Sequence, residues 1–324
     1  MAEHSFADNE FIDKLLSGDK RTVSRSISIV EHGNSRAKEL LKAIYSKTGR
    51  AYRIGITGPP GAGKSTLTNQ LTKHYRNLGK TVAVIAVDPT SPFTGGALLG
   101  DRVRMSEIGS DEGVFIRSMA TRGSLGGLSK TTTDAADVLD AAGYDIILFE
   151  TVGVGQSELD IARTADTTLV VLVPESGDSI QAMKAGLMEI ADLFVLNKSD
   201  RPGADSAIIA LQTMLMMKSH DETTWLPRIV KSVATENQGI EDIAREIETH
   251  REYLDHNGSF QRKREMNSRI RIKEIVESQI RSEIWTRERE TSLNNSLEKV
   301  VLGHISPYHL AEDIIEHYKN EFEQ

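Results

Sequence analysis

The sequence contains no cysteine and no long apolar run. Without cysteine, the 324-residue chain can form no disulfide, no thiolate metal site and no cysteine nucleophile. No segment approaches the roughly 18 consecutive apolar residues that a membrane-spanning helix requires. The first residues, Met-Ala-Glu-His-Ser, also lack the basic-then-apolar start of a secretory signal. We therefore expect a cytoplasmic protein.

Basic residues are outnumbered by acidic residues. The formal net charge is −8, which gives no broad attraction toward nucleic acid or an anionic membrane. Apolar residues make up 39% and charged residues 27% of the chain, so a full hydrophobic core is available. These values favour a globular protein that binds small ligands or other proteins, with neither nucleic acid nor membrane as a partner.

Short β-branched runs alternate with helical segments through most of the chain. The runs are residues 52–57, 81–87, 114–118, 145–150, 167–173, 193–196 and 228–233. Near-continuous apolar strands separated by helices indicate an α/β fold with a parallel sheet covered on both faces. We predict a doubly wound, mostly parallel sheet in residues 50–255, a helical N-terminal extension in residues 1–49, and a helical C-terminal arm in residues 256–324.

Two helical segments are rich in apolar residues. Residues 260–289 are predicted to form one helix whose apolar residues are Met266, Ile270, Ile272, Ile275, Val276, Ile280 and Ile284. Such a stripe needs a partner, which is either the chain's own core or a second subunit. The run at residues 213–217 is predicted to be a core helix because of its methionines.

Residues 58–65 match the pattern G-x-x-x-x-G-K-[ST] in full, directly after a predicted strand and before a predicted helix. In this pattern, glycines let backbone N–H groups turn toward phosphate oxygens, and the helix N-terminus favours the same negative charge. Lys64 is expected to neutralise the β- and γ-phosphates, and Ser65 to ligate Mg²⁺. The predicted nucleotide-binding residues of this loop are Gly58, Gly61, Ala62, Gly63, Lys64, Ser65 and Thr66.

A tetrapeptide that follows the predicted strand 193–196 indicates which base is bound. It reads Asn197-Lys198-Ser199-Asp200, and Asp200 can accept hydrogen bonds from N1–H and the 2-amino group of guanine. Adenine offers neither donor. Val233 and Ala234 stand where a backbone N–H commonly binds guanine O6, although Val replaces the usual Ser. We therefore predict GTP and GDP as ligands, with Asn197, Lys198, Asp200, Val233 and Ala234 at the base.

Three acidic residues are candidates for the Mg²⁺ site beside Ser65: Asp88, Asp101 and Glu150. The alternative for each is a capping or turn role. Residues 150–153 resemble the D-x-x-G switch, with Glu150 in place of Asp and the Gly153 N–H expected at the γ-phosphate. We predict Lys64, Glu150 and Gly153 as catalytic residues.

A water-orienting Gln commonly follows the switch glycine, but this chain has Val154 there, which predicts slow intrinsic hydrolysis. Several arginines lie in or near the predicted switch loops, and the sequence does not choose among them. They are Arg102, Arg104, Arg117, Arg122 and Arg163.

Several uninterrupted runs resemble one known family. They are residues 87–92, 95–105, 115–123, 150–158 and 197–200. Over residues 27–253 the chain resembles the MeaB/ArgK GTPases, chaperones of cobalamin-dependent acyl-CoA mutases. The resemblance implies control of adenosylcobalamin loading into methylmalonyl-CoA mutase or a relative, protection of that enzyme, and a homodimer held by C-terminal helices. It also implies a third switch at residues 178–184, where Gln181 and Lys184 relay the nucleotide state.

Two other classes share parts of this pattern. One is an ATPase or kinase associated with amino-acid transport, against which the guanine-reading tetrapeptide and the lack of a membrane-associating segment argue. The other is a metallochaperone GTPase for a nickel or cobalt enzyme. Such proteins usually carry Cys or His clusters, and this chain has no cysteine.

Overall fold

A computed structural model describes residues 9–89, 108–121, 127–151, 157–174, 186–217 and 224–320; for residues 88, 89, 120, 121, 127–129 and 157–160 it describes only the backbone. The chain divides into two compact units, Met1–Lys263 and Arg264–Gln324. No helix among the described residues is both long and apolar enough to cross a membrane.

The first unit contains a seven-stranded sheet in the order β3-β2-β4-β1-β5-β6-β7. The strands are β1 Tyr52–Thr57, β2 Val82–Pro89, β3 Val114–Thr121, β4 Ile146–Thr151, β5 Thr167–Leu172, β6 Leu193–Asn197 and β7 Arg228–Ser232. Every neighbouring pair is parallel. The predicted α/β fold class and parallel sheet are confirmed, and β1 lies at the centre of the sheet, between β4 and β5.

Helices cover the two faces of this sheet. They are α1 Asn9–Leu16, α2 Lys20–His32, α3 Ser35–Ile44, α4 Lys64–Asn77, α5 Gly127–Ala141, α6 Ser157–Thr164, α7 Ala204–Met216 and α8 Ile240–His256, with single turns at Tyr45–Lys47, Met188–Ile190 and Ala234–Glu236. Because side chains alternate along a strand, β4 sends Ile147 and Phe149 into the core under α1–α3 and α5, and Leu148 into the core under α4 and α8.

The N-terminal helices α1–α3 belong to the main core. Leu15, Ile27 and Leu40 are fully buried or nearly so, and they join the cluster that contains α5 and one face of the sheet. Their ends follow capping rules: Asp19 caps α2 by accepting from the Thr22 N–H, and Asn34 caps α3 by accepting from the Ala37 N–H. The predicted helical extension is therefore present and packed.

The C-terminal helices are α9 Ser259–Ile284, α10 Arg287–Val301 and α11 Pro307–Asn320. The prediction of one helix through residue 289 is wrong, because Thr286 is extended and its side chain accepts a hydrogen bond from the Arg289 N–H, which starts a new helix. The apolar stripe of α9 is exposed, with Met266, Ile272 and Val276 showing 57%, 62% and 50% of their surface.

The predicted core run at residues 213–217 is only partly buried. Leu215 packs against the sheet from α7, but Met216 and Met217 are 78% and 80% exposed. The physical reason is helical geometry, since residues adjacent in sequence point about 100° apart and cannot all face one core.

Candidate functional site

The glycine-rich loop leaves β1 at the carboxyl edge of the sheet and ends where α4 begins, at Lys64. Gly58 has φ +136° and Gly63 has φ +90°, in the region that favours glycine. A Cβ on Gly58 would collide with the carbonyl oxygen of Val171, and a Cβ on Gly63 would collide with the Asn197 side-chain amide. Both glycines are therefore required by the close approach of the loop to β5 and β6.

Lys64 folds back over this loop. Its Nζ donates to the carbonyl oxygens of Gly58 at 2.7 Å and Pro59 at 2.9 Å, and the residue is buried. The cation therefore lies inside the turn formed by the loop, beside the N-terminus of α4. Ser65 and Thr66, in the first turn of that helix, are partly buried.

Ser65, at the start of α4, contacts Glu150, near the end of β4. Glu150 is buried near the end of β4, in register with Ile56 of β1, and the Ser65 hydroxyl donates to its Oε1. The structure thus brings together two of the predicted Mg²⁺ ligands. Asp88 lies at the end of β2, two residues after Ala86, which is in register with Glu150; only its backbone is described.

No group of three or more His, Cys, Asp or Glu residues that could hold a metal occurs in the described part of the chain. A hydroxyl and a carboxylate are still a suitable protein contribution to Mg²⁺, because this ion commonly takes few protein ligands and completes its shell with water and phosphate oxygens.

Asn197 connects three segments at the carboxyl edge. Its Nδ2 donates to the Ala62 carbonyl at 2.8 Å, and its Oδ1 accepts from the Ala234 N–H at 3.1 Å and the Ser232 hydroxyl at 3.2 Å. The side chain is buried at the end of β6. It therefore fixes the glycine-rich loop and the turn after β7 in one arrangement.

The rest of the tetrapeptide extends outward from Asn197. Lys198 has φ +57°, uncommon for a residue other than glycine, and its Nζ donates to the Gly61 carbonyl at 2.8 Å. The Ser199 N–H and hydroxyl both donate to the Ser232 carbonyl, at 3.1 and 3.2 Å. These contacts leave Asp200 exposed at the rim.

Val233 and Ala234 are buried beside Asn197, in the turn where they were predicted. Sequence reasoning missed Gln70, whose Nε2 donates to the Ala234 carbonyl at 3.2 Å from α4. It also missed Thr151, whose hydroxyl donates to that of Thr57 at 3.1 Å where β4 and β1 end. Gln70 lies in no motif, and Thr151 occupies an unspecified position of the pattern at residues 150–153.

Other predicted residues cannot be placed. Gly153, Asp101, Gln181 and Lys184 lie outside the described residues. Of the arginines considered for the switch loops, Arg117 is in β3, where it donates to Glu31 and, at 3.1 Å, to the Ser28 hydroxyl of α2. This agrees with the strand predicted at residues 114–118, which the structure extends to Thr121.

Comparison with known proteins gives a consistent result. The profile of a family described as "Methylmalonyl Co-A mutase-associated GTPase MeaB" matches residues 23–289. A protein of Pyrococcus abyssi classed with the GTPases is 49% identical over 309 residues, 95% of each chain. The Escherichia coli GTPase ArgK is 36% identical over 288 residues, 86% of each chain.

A mouse protein named methylmalonic aciduria type A homolog, mitochondrial, is 30% identical over 97% of this chain and 81% of its own. Among solved structures, one named LAO/AO transport system kinase superposes with a TM-score of 0.72 at 29% identity, covering 98% of this chain and 99% of its own.

Proposed function

Because the chain belongs to the MeaB family of methylmalonyl-CoA mutase-associated GTPases, we propose that it binds and hydrolyses GTP to gate adenosylcobalamin loading into a cobalamin-dependent acyl-CoA mutase. Methylmalonyl-CoA mutase is the partner that the family description suggests. In this role the protein also protects the mutase and acts in the cytoplasm.

The observation that carries the proposal is the double contact of Asn197 with Ala62 and Ala234. It places the phosphate-binding loop and the turn after β7 at a fixed separation, as a nucleotide that touches both requires. Asp200 is exposed at the rim of the site, where a ligand can reach its carboxylate. In our proposal it accepts from the guanine N1–H and 2-amino group, while the Ala234 turn faces O6.

The phosphates fit the loop itself. The positive φ values of Gly58 and Gly63 keep side chains out of the turn, and the buried Lys64 supplies the positive charge that phosphate oxygens need. On nucleotide binding, Lys64 exchanges its carbonyl partners at Gly58 and Pro59 for phosphate oxygens.

Mg²⁺ suits Ser65 and Glu150, with Asp88 and Asp101 as further candidate ligands, and when bound it neutralises phosphate charge. Lys64 stabilises charge that develops during hydrolysis, and the Gly153 N–H contacts the γ-phosphate. Glu150 holds the Ser65 hydroxyl in position. Since Val154 replaces a water-orienting Gln, hydrolysis is slow until a partner completes the site.

The exposed face of α9 supports the proposed homodimer. Its exposed residues Met266, Ile272 and Val276 form part of an apolar stripe that a second copy of the chain would bury in a homodimer. Deletion of residues 254–324 should therefore give a monomer that still binds GTP. A full-length chain that sediments as a monomer at micromolar concentration would contradict the dimer.

The coupling to the mutase is tested through Lys184 of the proposed third switch, with Gln181 beside it in sequence. We expect the cognate mutase to accelerate phosphate release by the wild-type protein. Lys184→Ala should keep GTP affinity within a few-fold and lose most of this stimulation and the GTP-gated transfer of cobalamin, followed by its absorbance. Lys42→Ala, an exposed lysine of α3, is the matched control and should behave as wild type.

The outcomes separate the parts of the proposal. Equal stimulation of wild type and Lys184→Ala would remove Lys184 from the relay. No stimulation by any acyl-CoA mutase would remove the chaperone role, while a GTP preference measured by calorimetry would still support the GTPase. Equal affinity for ATP and GTP would instead favour the kinase class, whose name the superposed structure carries.

A further inference from the structure

A groove lies between α1 and α2, which precede the glycine-rich loop in the sequence. We call it the α1/α2 groove; it has a volume of about 580 Å³ and is lined by Glu10, Phe11, Lys14, Arg21, Thr22, Ser24, Arg25 and Ser28. Because the two helices form a hairpin, Lys14 and Arg21 lie toward the turn, and the Arg25 guanidinium lies 5.7 Å from the centre of the Phe11 ring. The groove combines three cationic side chains, the Glu10 carboxylate that pairs with Lys14, and one aromatic surface.

Its two arginines form no ion pair with any described residue, although the charge of Arg21 helps to lower the pKa of Asp19. Among the described residues, neither Arg21 nor Arg25 makes a hydrogen bond or an ion pair, whereas Lys14 binds Glu10 at 2.6 Å. The nearby Asp19 is already used, since its Oδ2 accepts from the N–H and the hydroxyl of Thr22 at 2.8 and 2.6 Å. Those hydrogen bonds, more than any charge, lower the pKa of Asp19.

This arrangement differs from that of other arginines in the same unit. Arg76 binds both carboxylate oxygens of Asp111, at 3.0 and 2.9 Å, and Arg117 binds Glu31. By contrast, Arg21 and Arg25 are four residues apart on one helix, where like charges repel. A chain with a net charge of −8 has many carboxylates to place there, yet none of the described ones pairs with these arginines.

We propose that the α1/α2 groove binds an acidic peptide segment of a partner protein, with carboxylates at alternate peptide positions on Arg21 and Arg25. Four residues of helix advance about 6 Å, and two residues of extended peptide advance about 6.7 Å, so the two spacings match. Guanidinium and carboxylate groups pair in a bidentate geometry. Phe11 then contacts an apolar side chain of the same peptide.

The test uses a fluorescein-labelled peptide with Glu at alternate positions around a central Leu, followed by fluorescence anisotropy. The wild-type protein should bind it, and a peptide with Gln for every Glu should bind at least about tenfold more weakly. Arg21→Glu with Arg25→Glu should reduce affinity for the Glu peptide by about tenfold or more. Lys38→Glu with Lys42→Glu on α3 is the matched control, since its spacing, exposure and charge change are the same.

Circular dichroism melting and GTP affinity should be unchanged in both double variants, which establishes that each is folded and that the nucleotide site is intact. Arg21→Gln with Arg25→Gln provides a milder second test and should also weaken peptide binding. Equal losses in the two charge-reversed variants would overturn the proposal, since net charge alone would explain them. Absence of peptide binding, or tighter binding of inorganic pyrophosphate than of the Glu peptide, would also overturn it.

Discussion

The two ends of the central sheet use polar residues in different ways. At the carboxyl end, Lys64, Asn197 and Lys198 donate to backbone carbonyls of the glycine-rich loop, and Asp200 is exposed at the rim. At the amino end, polar side chains pair with one another or with strand starts, inside the core. The first arrangement holds groups where a ligand can meet them, and the second satisfies groups that no ligand reaches.

The amino end contains two such buried sets. Asp140 of α5 accepts from the backbone N–H groups of Gly49, Arg50 and Ala51 just before β1, at 2.7 to 3.0 Å. Farther along the same edge, His250 of α8 has its Nδ1 2.7 Å from the Thr167 hydroxyl.

That hydroxyl also lies 2.5 Å from the Tyr52 hydroxyl, and the Trp225 ring packs 4.7 Å from the His250 ring. A hydrogen-bonded chain of this kind resembles a catalytic relay. Here, however, it lies at the end of the sheet opposite the glycine-rich loop, so we infer that these residues stabilise the fold. If the two ends of the sheet differ in this way, substitutions at the amino end should alter stability, and substitutions at the carboxyl end should alter ligand binding.

The largest expected effect is on stability, from Asp140→Ala. Its carboxylate is fully buried and accepts from three N–H groups, and Arg53 lies 3.5 Å away. Removing it leaves those donors and part of the Arg53 charge uncompensated, so the free energy of unfolding should fall by about 3–5 kcal/mol. Urea denaturation measures this. Asp205→Ala, which removes an exposed carboxylate paired with Lys231, should leave stability close to that of the wild type.

A second prediction is a loss of binding with little loss of stability, from Lys64→Ala. Without the cation in the loop, GTP affinity should fall by about a hundredfold, which corresponds to about 2.7 kcal/mol. Calorimetry measures the affinity. Wild-type GTP affinity in this variant would show that the loop does not bind phosphate. A large fall in melting temperature would show that the carboxyl end of the sheet also contributes to stability, which contradicts the proposed difference between the two ends.

A third, smaller effect concerns base choice. Asp200→Asn should lower GTP affinity by about tenfold and raise affinity for xanthosine triphosphate, whose C2 carbonyl accepts a hydrogen bond instead of donating one. Ser199→Ala is a control on the neighbouring residue. If the two nucleotides keep their wild-type order in Asp200→Asn, the carboxylate does not read the base.

The smallest expected effect is a pH dependence of stability at His250. Burial lowers its pKa below the ordinary value of 6.5, while Asp192 raises it, Lys263 lowers it and Asp166 raises it to a lesser extent. As pH falls through 6.5, the unfolded chain takes up this proton before the folded chain does, so stability contributed by neutral His250 is lost.

His250→Gln should therefore reduce the slope of unfolding free energy against pH between about 6.5 and 5. The side chains of Arg251, Tyr52 and Tyr253 face the same region. His256→Gln, at an exposed position of the same helix, is the control. Equal slopes in wild type and His250→Gln would mean that His250 does not contribute.

Several elements were predictable because their signal is local. Apolar β-branched runs predicted the strands of the described residues to within a few residues, and the signal was clearest for β1, β4, β5 and β6, which are buried on both faces. The break at Thr286 was not predicted, because a single capping hydroxyl ends the helix within a sequence that keeps its charged and apolar residues. Exposure of Met216 and Met217 also escaped prediction, since composition does not reveal which side of α7 faces the sheet.

The sequence by itself determined the glycine-rich loop after β1, the Asn197–Asp200 tetrapeptide after β6 and the succession of strands and helices along the chain, because these depend on residue types at short spacing. Tertiary structure alone decided that Asn197 holds Ala62 and Ala234 together, across 135 and 37 positions of the chain. It likewise placed Ser65 against Glu150, 85 positions away. Such contacts arise because parallel strands carry the ends of distant segments to one edge of a sheet, where short polar side chains come within hydrogen-bonding distance.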